Sequence, residues 1–312
     1  MTITLTNDRR DPKIAAVGEI VKESLNEPAT TIFPIPEQGN VNAAYFANTR
    51  SGNFVVRVRF DREEMRQFER EKRCADLIRA DHDWTPAVVA IGRHGNHCFS
   101  VQERVQGTVA SNYQGNLLDV WEQVGRYSRY FHSIKTPGYL FDLFTEAPDP
   151  TGIWCQQYFN GLGRSEDAKL VRRGLISEAD FERGLIALEP LKQLKFEPTL
   201  AHGNLTLKNI IVDTAGKAHI IDWGTCQGHS AVDLDISELL AFKTPAEALK
   251  GYLRGHDLPE NYLEQNSELL DRLQLARFFT TANWLCEIES PRKADLATYL
   301  VGARAALERL GF

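Results

Sequence analysis

Apolar residues recur at helical spacing over residues 13–25, where Ile14, Val17, Ile20, Val21 and Leu25 fall on one stripe and predict an amphipathic helix. Three short runs follow, TTIFPI, NAAYFAN and NFVVRVRF, rich in β-branched and aromatic residues, and SGN supplies a turn before the third. They predict strands. Helical spacing returns in REEMRQFEREKRCADLIRA, with Met65, Phe68, Ala75 and Ile78 on one face. AVVAIGR and CFSVQERV then predict a hairpin with Gly-Asn at its tip. The segment ERVQGTVA (103–110) reads as a connector.

Beyond the connector the pattern is mostly helical. VWEQVGRYSRYFHSI is amphipathic, and SEADFERGLIALEPLKQL is a second helix with Ser177 and Asp180 near its start. Between them, residues 136–165 hold Pro137, Pro148, Pro150 and several glycines among aromatics, and read as irregular. NIIVD and AHIIDW, joined by TAGK, predict a second hairpin. Helices complete the chain from about Asp235 to Phe312. The expected fold class is α+β. A bilobal plan follows, with a small antiparallel sheet and hinge in 1–107 and a mainly helical lobe in 108–312.

Composition narrows the class of protein. Of 312 residues, 43% are apolar and 25% charged, which excludes a disordered or collagen-like chain. No run approaches the roughly 18 apolar residues of a membrane span. The N-terminus lacks the apolar stretch of a signal peptide. Five scattered cysteines, Cys74, Cys98, Cys155, Cys226 and Cys286, without a C-x-x-C, point to a reducing, cytoplasmic location. His94, His97 and Cys98 have the look of a metal clip, but with no second ligand pair at finger spacing they read as a hairpin tip.

The net charge of −6 is unevenly placed: residues 1–107 carry 15 Lys/Arg against 15 Asp/Glu, and the rest carry 21 against 27. That sign argues against a nucleic-acid partner. It suits a cationic or neutral small molecule.

The densest polar constellation is AHGNLTLKNIIVDTAGKAHIIDWGT, 201–225. Two oxygen-bearing side chains, Asn209 and Asp222, flank its hairpin, and a hairpin of this size brings its ends together. Magnesium takes one or two protein oxygens and completes its shell with phosphate and water. A Mg²⁺–nucleotide site is one reading of the pair; a structural Asp at a strand end is the other.

H-G-x-L-x-x-x-N, the strand pair and I-D-W resemble the catalytic loop and metal-binding segment of the aminoglycoside phosphotransferase and choline kinase superfamily, in the style of hygromycin B phosphotransferase. The resemblance implies a protein-kinase-like fold and an ATP- or GTP-dependent kinase with Mg²⁺ as cofactor. It implies that His202 braces the catalytic loop and that Asn209 and Asp222 hold the metal. It places Gly39 and Asn40 in a sparse glycine loop over the phosphates. Arg57 becomes the phosphate-pairing cation, with Arg59, two residues on and on the same face, as the alternative. Glu71 becomes its carboxylate partner, with Glu69 as runner-up. Gln102 to Val105, including Glu103, form a hinge offering backbone groups to the base. Asp233 or Asp235 orders the catalytic segment. Lys208 reads as solvated, Asp213 and His219 as structural.

One position departs. The family carries Asp at the third position of its loop, and this chain carries Asn204. The aspartate accepts or orients the proton of the acceptor hydroxyl; an amide oxygen accepts a hydrogen bond but carries no charge. A weakened kinase, a nucleotide- or ligand-binding pseudokinase, and an enzyme in which Asn204 is an introduced change or a natural substitution with a replacement base nearby all fit. For the small-molecule hydroxyl acceptor the candidates are Asp142, Glu146 and Asp149, then Glu287 and Glu289. Acidic groups among aromatics suit aminoglycosides or other polyhydroxylated cations.

Overall fold

The computed structural model describes residues 11–36, 42–60, 65–146, 168–286 and 293–312, with the backbone alone at 293–295. The chain forms two compact units, residues 1–113 with 208–225, and residues 114–207 with 226–312. Among the described residues no helix is long and apolar enough to cross a membrane.

The first unit begins with α1 (Pro12–Leu25), capped by the Asp11 side chain, which accepts from the Lys13 N–H. Its stripe of Ile14, Val17, Ile20 and Val21 is buried. Strands β1 (Thr31–Pro34), β2 (Ala43–Asn48), β3 (Asn53–Arg59), β4 (Val88–His94) and β5 (His97–Glu103) form a sheet of order β1-β2-β3-β5-β4, antiparallel throughout. Side chains alternate across it. Phe54, Val56, Val58, Phe99 and Val101 join α1 in one apolar core. Arg57, Ser100 and Gln102 therefore occupy the other face. Helix α2 (Arg66–Arg79) buries Phe68, Glu71, Cys74, Ala75 and Ile78. The turn at Gly95, in the left-handed region at φ +59, closes the hairpin that pairs His94 with His97. No group of three or more His, Cys, Asp or Glu among the described residues is arranged to hold a metal by itself.

Part of the expected connector is a strand. β6 (Gly107–Val109) pairs with β8 (Ile210–Asp213), which pairs with β9 (Ala218–Ile220). The sequence boundary at 107/108 assigns the 208–225 hairpin to the second lobe. Its pairing with β6 groups it with the first unit.

The second unit packs α3 (Leu117–Phe131), α4 (Lys169–Arg172) and α5 (Glu178–Leu188) with α6 (Ala231–Ala241), α7 (Ala246–His256), α8 (Tyr262–Gln265), α9 (Ser267–Leu285) and α10 (Lys293–Arg309). Ser177 caps α5, accepting from the Asp180 N–H at 3.0 Å. Leu170, Phe181, Leu188, Leu275 and Phe279 lie in its apolar core. A two-stranded ribbon, β7 (Thr199–Ala201) with β10 (Gln227–His229), ends immediately before His202 on one strand and before α6 on the other.

Candidate active site

In the first unit, Arg57 on β3 meets two carboxylates. Its Nη1 donates to Glu71 Oε1 at 2.6 Å and Oε2 at 2.8 Å, and its Nη2 donates to Asp222 Oδ1 at 2.8 Å. The Glu71 side chain is 2% exposed, Arg57 13% and Asp222 33%. Burial acts to lower the guanidinium's pKa, but Glu71 and Asp222 outweigh it, so Arg57 stays charged. Burial pushes the Glu71 carboxyl up, with Arg57 and a hydrogen bond from Gln102 pulling against it. The Phe68 ring lies beneath the guanidinium at 5.8 Å. Arg59 has other partners, donating to Asn42 Oδ1 at 2.9 Å and Gln67 Oε1 at 2.7 Å. Glu69 is exposed. Of the two arginines and two glutamates the sequence offered, Arg57 and Glu71 are the pair that meet.

The hairpin brings Asn209 and Asp222 to its open end. Ile210 pairs with Ile220, and the Ile221 N–H donates to the Asn209 carbonyl at 2.9 Å, so Asp222 follows one residue beyond Asn209's neighbour. Asp222 adopts φ +65, in the left-handed region that aspartate tolerates. One amide and one carboxylate are too few for an all-protein cation cage. They fit a magnesium ion completed by phosphate and water. Beside them, Arg70 donates to the Gly224 carbonyl from α2. Asp213 accepts from the Ala215 and Lys217 N–H groups and meets His219 Nε2 at 3.0 Å, so this pair closes the turn.

At the segment expected to form the hinge, the Glu103 N–H donates to the Ala87 carbonyl and the Arg104 N–H to the Asn53 carbonyl, each at 2.9 Å. The exposed Glu103 side chain accepts from the Ala87 N–H, and Val105 is half-buried. Gly39 and Asn40 lie outside the described residues.

In the second unit the catalytic-loop candidates are held by a buried acid. Asp235, on α6, is fully buried and accepts from the His202 N–H at 3.0 Å and the Gly203 N–H at 2.8 Å. Asp233 instead bonds Ser230 and the Tyr262 hydroxyl, which settles which of the two acids reaches the loop. Gly203 sits at φ +71, a conformation that favours glycine. The Asn204 N–H donates to His202 Nδ1 at 3.3 Å, and His202 is fully buried. His132 Nε2 lies 2.9 Å from Asp235 Oδ2, and His132 Nδ1 lies 2.9 Å from His256 Nε2. Sequence reasoning missed both histidines. His132 ends a predicted amphipathic helix and His256 lies 124 residues on, with no spacing to link them.

Asp142 and Glu146 are exposed at a compact turn where Gly138 donates to the Leu143 carbonyl. Asp149, Glu287 and Glu289 lie outside the described residues, as does Cys155; Cys74, Cys98, Cys226 and Cys286 are buried.

Solved structures with the same fold include aminoglycoside phosphotransferase APH(4)-Ia as a thermostable mutant in ternary complex with ADP and hygromycin B (TM-score 0.69, 15% identity, 95% of this chain and 99% of that one). A putative fructosamine-3-kinase from Haemophilus somnus 129PT aligns at TM-score 0.64 and 17% identity, over 94% and 96%. The GDP and kanamycin complex of APH(2")-IIia aligns at 0.61 and 14%, over 94% and 97%. At these identities the likeness establishes the kinase-like α+β fold. No curated protein sequence matches the chain. Residues 33–268 match the family described as Phosphotransferase enzyme family, APH, and with three quarters of its length inside that match the chain belongs to this family.

Proposed function

We propose that the chain transfers the γ-phosphoryl group of ATP or GTP, with Mg²⁺, to a hydroxyl of a small cationic or polyhydroxylated molecule such as an aminoglycoside. The observation that carries this reading is the Arg57–Glu71–Asp222 cluster. A permanent cation is fixed on a strand by a buried acid, with a second, more exposed acid beside it and Asn209 next along the hairpin. In the proposal Glu71 orients Arg57 toward the phosphates. Asn209 and Asp222 hold the magnesium, which when bound neutralises charge on the β- and γ-phosphates. The hinge backbone meets the base.

His202 and Asp235 fix the backbone from which Asn204 projects. Transfer forms a bond from the acceptor oxygen to phosphorus as the β–γ bridge breaks, and the hydroxyl proton passes to an oxygen of the transferred phosphoryl group and from there to water. The Asn204 amide oxygen orients that hydroxyl without keeping its proton. Phosphoryl transfer is mostly positioning and electrostatics, so the chemistry is slowed rather than abolished. The structures solved with ADP and hygromycin B, and with GDP and kanamycin, support a purine nucleotide and an aminoglycoside as the substrates to test first. The acidic excess of residues 108–312 and the exposed Asp142 and Glu146 suit a cationic acceptor.

The neutral amide at Asn204 favours one second reading, a nucleotide-binding pseudokinase. The deciding test is ADP release by wild type and Asn204→Asp across aminoglycosides and sugars with MgATP and MgGTP. The kinase reading expects slow turnover that rises about 10²–10⁴-fold in the variant, the range for a general base. A magnesium-nucleotide thermal shift with background turnover in both forms would establish the binding protein. No shift with either nucleotide would count against both.

A further inference from the structure

Asp235 is the anchor of the His202–Gly203 backbone, and its own geometry is set from behind. Three buried side chains from three helices form a chain, His256 on α7, His132 after α3 and Asp235 on α6, joined by contacts of 2.9 Å. An ionised carboxylate only accepts, so His132 carries its proton on Nε2. The unprotonated His132 Nδ1 then accepts from His256 Nε2–H. That leaves His256 Nδ1 as a lone pair, and this buried atom has no hydrogen-bond partner.

The packing is arranged for this contact. Gly125 on α3 and Gly251 and Gly255 on α7 let the two helices touch backbone to backbone. A Cβ at Gly125 would lie 2.2 Å from the Tyr252 carbonyl oxygen, and one at Gly255 would lie 2.0 Å from that of Glu122. The His132 ring packs edge-on against Phe131 at 4.7 Å and tilted against His256 at 5.1 Å.

We propose that His132 and His256 are positioning residues, a two-histidine strut that holds Asp235 against the His202 and Gly203 amides and so sets the backbone leading to Asn204. This rests on the functional reading above for its effect on catalysis, but not for its effect on the loop. Around the strut stand Arg129 of α3, paired with Asp257 at 3.0 Å, then Tyr252 of α7, His202 after β7 and His229 of β10. Burial lowers His256 to about 4, in keeping with a neutral His256 at neutral pH.

The test uses the full chain with His256→Leu, which removes the Nε2 donor, and His256→Gln, whose amide nitrogen replaces it. Losing one buried hydrogen bond corresponds to about a tenfold effect. In His256→Leu, amide hydrogen exchange at Gly203 should accelerate about tenfold, with Ile220 in the first unit unchanged. Its kcat should fall by a similar factor while KM for the nucleotide stays within about twofold. His256→Gln should restore both. Unchanged Gly203 exchange in His256→Leu, or equal loss in Leu and Gln variants, overturns the strut. Should His256→Leu fail to fold, His256→Asn, too short to reach His132, replaces it under the same criteria. If exchange behaves as expected but wild type and Asn204→Asp release no ADP, the strut stands and the kinase reading falls. If ADP is released but Gly203 exchange does not respond, the reverse holds.

Discussion

Glu71 in the first unit and Asp235 in the second are both buried carboxylates, and the two are stabilised in opposite ways. Glu71 is 2% exposed and depends on a full charge, Arg57, which it shares with Asp222. Asp235 is 0% exposed and depends on the His132 ring and two backbone N–H groups. Burial raises both pKa values in tendency. It prevails at Glu71, whereas at Asp235 the hydrogen bond from His132 and the backbone donors outweigh it and hold the carboxyl below the ordinary range. Fixed dipoles from packed helices and a constrained loop have nowhere else to go. A guanidinium on a flexible stem, bonded to a partly exposed acid, has an alternative if a phosphate binds there as proposed. The first arrangement makes a permanent joint, the second an exchangeable one.

Removing the permanent joint should have the largest effect. Asp235→Ala leaves His132 and two loop amides buried without their acceptor, and should cost about 3–5 kcal/mol in urea unfolding, with turnover lost. Retained loop-amide protection in that variant would refute the comparison. The exchangeable joint should show coupling instead. Arg57→Met strands Glu71 as an uncompensated buried charge, so it should destabilise more than the Arg57→Met/Glu71→Met pair, by about 1–3 kcal/mol in a double-mutant cycle. Both variants should bind nucleotide weakly in a thermal shift. Additivity would mean that the salt bridge does not couple the two sites.

A third prediction uses pH. His229 is fully buried and stacks on Phe196, and burial lowers its pKa from 6.5 to about 4. Between those values the unfolded chain binds the proton and the folded one does not. This contribution is therefore retained above pH 6.5 and lost as pH falls toward 4, by up to about 3 kcal/mol. His229→Phe should flatten the pH dependence of unfolding in that window; an unaltered slope would assign the loss to other groups. The smallest effect is expected from Asp213→Asn at the hairpin turn, within about 1 kcal/mol and without change in turnover.

Much of this was legible in the sequence where local pattern and chemistry coincide. The stripe of Ile14, Val17, Ile20 and Val21, and the hairpin runs around Gly95 and TAGK, bear their periodicity openly. Choices between near neighbours were not legible. Arg57 and Arg59 share a face, and their partners distinguish them, Asn42 and Gln67 for Arg59 and Glu71 and Asp222 for Arg57. Asp233 and Asp235 lie two residues apart on one helix, and the loop they serve begins at residue 202. β6, β7 and β10 have three residues each, too few for a period of two to show, and exist because a partner strand lies alongside.

The first unit is discontinuous, and this bears on how the protein is made. Strand β6 leaves the ribosome about 100 residues ahead of β8, its partner, which at typical synthesis rates is on the order of ten seconds. During that interval Arg57 and Glu71 exist without Asp222, and the edge of β6 is open to mispairing. A fragment ending at residue 113 would stop at the same incomplete stage, so a piece of this chain holding the whole first unit has to extend to residue 225.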